Sequence, residues 1–165
     1  MGLTLTHEHL FNNVTPYWHP PYDDSPRSRE LVDEKVSITN VWELRHDPFI
    51  NKDNCSVDDI ELAIVEVKRF AAQGGRTVLD ACADQGNGRD PEGLARISRE
   101  SGLNVVMGSG IYFDRAHGPE YLDGSVREIA DRIVRDLTVG AQGTNIRAGF
   151  IGEIFVGQPF TNRER

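Results

Sequence analysis

The sequence predicts an α/β protein built on a parallel sheet. Three observations carry this expectation. Four short apolar runs, beginning near residues 3, 76, 104 and 147, alternate with stretches of helical period. The last three runs are near-continuous in apolar residues, as strands covered on both faces are. The chain is 38% hydrophobic and 27% charged over 165 residues, which suits one ordinary globular domain. The order β–loop–α–β–α–β–α–β permits either an open doubly wound sheet or part of a (β/α)8 barrel. A barrel takes about 250 residues. Four strands therefore amount to about half of one.

Leu3 and Leu5 alternate with Thr4 and Thr6 ahead of His7-Glu8-His9, a half-buried strand pattern. Residues 12–56 hold Pro16, Pro20, Pro21, Pro26 and Pro48 and both tryptophans. They read as a long excursion with short helical pieces near 28–36 and 39–46. Ser56, with Asp59 three positions on, is expected to cap a helix reaching about Gln73. Its inner face is Ile60, Ile64, Val67, Phe70 and Ala71, and Gly74-Gly75 stops it. Arg76–Cys82 is the second strand. Asp90-Pro91 opens a helix that ends at Gly102, and Asn104–Ser109 is the third strand. Ser125 with Glu128 forms a capping box for a helix through Ile129, Ile133 and Leu137, and Arg147–Phe155 is the fourth strand.

Twenty-six acidic against eighteen basic residues give a net charge of −8, which argues against nucleic acid or an anionic membrane as partner. No apolar run approaches the roughly 20 residues that span a bilayer. The opening Met1-Gly2-Leu3-Thr4 lacks the basic and apolar regions of a secretory signal. The expectation is a cytoplasmic chain whose Cys55 and Cys82 stay reduced. Asn13-Val14-Thr15 and Asn54-Cys55-Ser56 fit the glycosylation pattern, but are read as chance without such a signal.

Two features carry chemistry. His7-x-His9 sits at a strand end, where residues i and i+2 point to one side and two imidazoles can converge on one metal ion. The plain alternative is two polar residues satisfied locally. Glu153 lies amid the apolar residues Phe150, Ile151 and Ile154, where a lone carboxylate would be costly. It must be paired with an arginine such as Arg147 or Arg76, or bind a metal. Two histidines and a glutamate suit zinc, manganese, cobalt or iron. Asp90 reads as a helix cap, Arg89 as its loop partner, Asp80 as structural, and Cys82 as a buried inert thiol with no histidine beside it. Gly86-Asn87-Gly88 is not a phosphate loop, because Pro91 occupies the third glycine position of G-x-G-x-x-G.

Thr4-Leu5-Thr6-His7-Glu8-His9-Leu10 resembles the first-strand motif of the phosphotriesterase family of the amidohydrolase superfamily. The resemblance continues through Gly75–Asp80, Gly88–Pro91, Gly108–Phe113 and Gly143–Gly149, in order and nearly throughout the chain. The Trp42–Pro48 segment and Gly152-Glu153-Ile154 are similar to the phosphotriesterase-related branch. The resemblance implies the N-terminal half of a (β/α)8 barrel and a hydrolase using two divalent metal ions, zinc first. His7 and His9 would bind the more buried ion. Glu153 would bridge both, in place of the carboxylated lysine of the best-known members, and take part directly in catalysis. Metal-bound hydroxide would attack an ester, lactone, amide or phosphoester bond of a small-molecule substrate. Tyr112 stands where relatives place an aromatic residue against substrate, and His117 lies in the same loop.

The resemblance also places further ligands after strands five, six and eight. His19, His46 and His117 precede strand four and do not map onto them. The expectation is therefore a half-barrel active once completed, by a C-terminal half or in a homo-oligomer. The alternatives are a non-catalytic or merely metal-binding subunit, and, more remotely, a metal-dependent nuclease.

Overall fold

The structure, a computed structural model, describes residues 2–117, 125–162 and 164–165; Met1 lies outside it. Strands β1 (Leu3–Glu8), β4 (Gly75–Asp80), β5 (Asn104–Ile111) and β6 (Phe150–Ile154) form one parallel sheet in the order β1-β4-β5-β6. Two-residue strands β2 (Asn12–Asn13) and β3 (Ser56–Val57) form a small antiparallel ribbon. The helices are α1 (Pro26–Leu31), α2 (Val41–Leu44), α3 (Ile60–Ala72), α4 (Pro91–Ser101) and α5 (Val126–Thr138). Each strand of the main sheet lies beside its predecessor in it, which right-handed crossovers achieve by stacking helices on one face. The sheet is thus the curled first half of a (β/α)8 barrel.

The core lies between that face and the helices. Ile64 and Val67 of α3 and Leu94 and Ile97 of α4 meet Val78 of β4 and Met107 of β5, with Phe11 closing one end. The helix boundaries follow their caps. Asp90 accepts from Gly93 N at 3.0 Å, Pro91 starts α4, and Gly102 ends it at φ 73°. The Ser125–Glu128 capping box is present, with Ser125 N donating to Glu128 Oε2 at 2.7 Å. At α3 the cap is Asp59, accepting from Leu62 N at 3.0 Å, and not Ser56. Ser56 is instead paired with Asn13 in the β2–β3 ribbon.

That ribbon makes the excursion leave and rejoin the fold at one point. Inside the excursion α1 and α2 are shorter than their sequence stretches suggest, and asparagines replace a periodic apolar face. The buried Asn51 amide donates to Leu31 O and Glu34 O at 2.6 and 2.7 Å. Asn40, also buried, donates to Lys35 O at 2.8 Å and accepts from Ser37 N.

Arg89 is not the loop partner of Asp90. It is 4% exposed and its Nη1 lies 2.9 Å from Asp136 Oδ2 on α5. It also donates to Ala83 O, Gly108 O and Gln142 Oε1, while Asp136 accepts from Ser109 Oγ at 2.9 Å. This network ties the start of α4 to β5, to α5 and to the loop ahead of β6. Arg89→Met would leave the Asp136 carboxylate buried without its cation. The expected cost is about 3–5 kcal/mol, read as a lower urea midpoint at unchanged slope. A loss under about 1 kcal/mol would show that the pair behaves like a surface ion pair.

Candidate metal centre

β1 and β6 are the two edges of the sheet. Three strand spacings of about 4.8 Å would hold them about 14 Å apart if the sheet were flat. The sheet curls, and side chains from both edges meet at its C-terminal end. His7 Nε2 lies 3.2 Å and His9 Nε2 3.9 Å from Glu153 Oε2. One ligand atom from each of the three residues falls within 4.8 Å of the others. The imidazole centroids are 5.2 Å apart at 64°. Among the described residues this is the one cluster of three such groups. Glu153 is paired with neither Arg147 nor Arg76, so the histidines are what offset its partial burial.

Local irregularities aim these side chains. The β1–β4 register slips between Leu5 and Glu8, across His7, and the β5–β6 register slips between Ser109 and Ile111, beside Glu153. Two glycines of β5 let β6 approach. A Cβ on Gly108 would stand 2.2 Å from Gly152 O, and one on Gly110 2.3 Å from Glu153 O.

The Asp80 carboxylate at the end of β4 accepts from Leu10 N at 2.7 Å and from Cys82 N at 3.1 Å, which fixes the chain just beyond His9. Burial raises its pKa against those two bonds. Cys82 corrects one expectation, because a histidine does stand beside it. His9 Nδ1 is 3.3 Å from Cys82 Sγ. Burial, aided by the Asp80 charge, pushes the Cys82 thiol up, so it stays protonated and inert as a nucleophile.

Tyr112 is the first residue past β5 and is 8% exposed. Its ring stacks on Phe155 at 5.1 Å and meets Phe113 edge-on at 5.0 Å. Burial, with the Glu153 charge adding to it, pushes its hydroxyl pKa up to about 12. Tyr17 and Phe49 extend the aromatic wall from the excursion, with Tyr17 stacked 4.4 Å from Phe113. A cavity of about 600 Å³ opens there, two residues beyond Glu153, with Tyr17, Phe113, Arg115 and Phe155 among its lining.

The remaining histidines do other work. The His117 side chain is only 4% exposed, with Nε2 3.3 Å from buried Asp84 Oδ2 and 3.2 Å from Tyr112 O. Burial works to raise Asp84, but His117 and the N–H groups of Tyr112 and Gly86 outweigh it and hold the carboxyl below its ordinary value. This pairing fixes the backbone at Tyr112, so His117 is not a solvated loop residue. His19 pairs with Asp47 at 3.3 Å and His46 packs on Trp42, both within the excursion. Sequence spacing could find His7, His9 and Glu153. It carried no signal for the Cys82–His9 contact or the Asp84–His117 pair, which join residues brought together only by the sheet.

A parallel sheet with helices on one face and polar groups gathered at the C-terminal strand ends defines a protein of the (β/α)8-barrel class. Within that class the chain belongs to the phosphotriesterase family, whose profile matches residues 1–165. It is 34% identical over 168 residues to a phosphotriesterase-related protein of Nematostella vectensis, covering 100% of this chain and 47% of that protein. It is 33% identical to the N-acetyltaurine hydrolase of Bos taurus, covering 100% of this chain and 46% of that enzyme. The crystal structure of a resiniferatoxin-binding protein from Rhodobacter sphaeroides superposes with a TM-score of 0.92 at 46% identity, over 99% of this chain and 45% of that one. The chain spans about half the length of the curated relatives it matches. No helix among the described residues is long and apolar enough to cross a membrane.

Gly110→Ala tests the approach of β6. The added methyl meets a backbone oxygen rather than a side chain that could swing away, so β6 must shift. The expected loss is about 1–3 kcal/mol in a denaturant titration. A variant as stable as the wild type would show that β6 does not lie this close.

Proposed function

We propose that this chain carries half of the active site of a divalent-metal hydrolase that cleaves a small carboxylic amide, ester or lactone. The observation that carries the reading is the convergence of His7, His9 and Glu153 from opposite edges of the sheet. The donor set fits an ion. Bonds of about 2.0–2.2 Å in tetrahedral geometry separate ligand atoms by about 3.3–3.6 Å, and the two Nε2 atoms stand 3.2 and 3.9 Å from Glu153 Oε2. Two imidazoles and one carboxylate suit zinc, with manganese, cobalt or iron as alternatives.

When bound, the ion's chemistry is Lewis-acid polarisation of the scissile carbonyl and activation of water near neutral pH. The chain's own residues do the rest. His7 and His9 both turn Nε2 toward Glu153. Glu153 turns Oε2 toward both, and its second oxygen would be the group to hold a second ion. Phe113 and Phe155 line the neighbouring cavity, and Tyr112 packs against both of them without lining it, so its place is behind the wall that an entering acyl group would meet. Arg115 is the cation in the cavity's lining, where it stands with the carboxylates of Asp114 and Glu164. N-acetyltaurine, the substrate named for several of the relatives, is the first compound to assay.

The test is zinc and manganese binding by the purified chain, with hydrolysis of N-acetyltaurine and of an ester and lactone panel by the metal-loaded protein. The wild type is expected to take up one to two ions, and His7→Ala and Glu153→Gln each to lose at least about 10-fold in affinity. Turnover, by the chain or by the barrel it completes, is expected to stop with a chelator. A folded wild type that takes up neither metal, or chelator-insensitive turnover, would overturn the reading.

A further inference from the structure

The Cys82 thiol, read from the sequence as inert filler, occupies a place that filler does not explain. Its sulfur is buried and faces three polar groups, His9 Nδ1 at 3.3 Å, Phe11 O at 2.7 Å and the Asp80 carboxylate. Neither the Phe11 carbonyl nor the Asp80 carboxylate has a proton to give, so the thiol is the donor toward them. A thiol has one proton to give. Toward His9 the sulfur can therefore only accept, and Nδ1 must carry the hydrogen.

We infer that Cys82 is a positioning residue for His9, fixing the imidazole as its Nδ1–H tautomer so that the Nε2 lone pair points at Glu153. A ring nitrogen can bind a cation only through a free lone pair, and the hydrogen bond at the other nitrogen decides which one is free. The usual partner of a ligating histidine is a carboxylate or carbonyl oxygen; here a thiol takes that place. The rest of the site keeps it there. Asp80 accepts from both Leu10 N and Cys82 N, so one carboxylate sets the backbone beside His9 and beside the sulfur. His7 has no such support at Nδ1 among the described residues, and its side chain is 60% exposed against 27% for His9. The two histidines are thus unequal. His9 is pre-set by the fold, and His7 is free to turn until Glu153 or an ion engages it.

The consequence for metal affinity rests on the metal-centre reading, whereas the tautomer does not. The experiment measures both on the intact chain. The tautomer of His9 is read from ¹⁵N shifts and two-bond ¹⁵N–¹H couplings in the metal-free protein. The zinc dissociation constant is read by competition with a chelating dye, zinc alone being the ligand. The wild type is expected to show the Nδ1–H form at His9. Cys82→Ala should show a mixture of tautomers and bind zinc about 10-fold more weakly, within the range for lost outer partners. Cys82→Ser, whose hydroxyl can make both contacts, should restore the tautomer and bring zinc affinity to within about 3-fold of wild type.

A purely packing role predicts something else: Cys82→Ala would lower the denaturation midpoint yet leave His9 in one tautomer and zinc affinity unchanged. That result, or a wild-type His9 protonated at Nε2, would overturn the inference. If the wild type binds no zinc, the metal-centre reading fails, and the tautomer measurements still decide the role of Cys82.

Discussion

A carboxylate placed next to two imidazoles at the rim of a four-stranded sheet is a demand on the shape of that sheet. Glu153 and the two histidines belong to opposite edges, and only curvature joins them. Most of the fold can be understood as meeting that demand. Right-handed crossovers lay the helices on one face and leave the other concave. Gly108 and Gly110 remove the side chains that would hold β6 off. Arg89 and Asp136 lock α5 to β5 from the outside, where a flatter sheet would pull them apart. If the curl relaxed, Glu153 would lose the partners that make its partial burial tolerable, so site and curvature support one another.

What could be read in the sequence was whatever has a short range. Helix starts marked by a cap and a following turn, as at Asp90 and Ser125, are encoded within four residues and appear where expected. The parallel sheet was legible because continuous apolar runs leave little other choice. The excursion was not. Its two closing strands are two residues each, too short for any period, and its interior is organised by the amides of Asn40 and Asn51 bonding backbone carbonyls. Ser56 illustrates the ambiguity. Its spacing to Asp59 mimics a capping box, but the ribbon claims Ser56 and leaves Asp59 to cap the helix itself.

The candidate site divides in the same way. His7, His9 and Glu153 stand out because their residue types are unusual for their local surroundings, and a burial argument makes that visible without a structure. Their supports do not stand out. Cys82 is 73 residues from His9, and His117 is 33 from Asp84. Neither pairing leaves a trace in local spacing, and a small buried thiol looks the same in sequence whether it fills space or holds a proton donor. The consequence is a graded site: His9 held from behind, His7 exposed, and Glu153 facing both. Such an arrangement can order one ligand before an ion arrives and let the others close around it. The aromatic wall runs from Tyr17 through Phe113 and Tyr112 to Phe155, the second residue past Glu153.

The central claim is that the curl of the sheet assembles a two-imidazole, one-carboxylate ligand set from strands β1 and β6. X-ray absorption spectroscopy of the chain loaded with one equivalent of zinc addresses it most directly, because it reads the donor atoms themselves. The account predicts a first shell of nitrogen and oxygen at about 2.0–2.1 Å, with outer-shell scattering from two imidazoles and none from sulfur. A sulfur scatterer at about 2.3 Å would mean that Cys82 ligates the ion instead of supporting His9, and fewer than two imidazoles would mean that His7 and His9 do not converge on one ion as described.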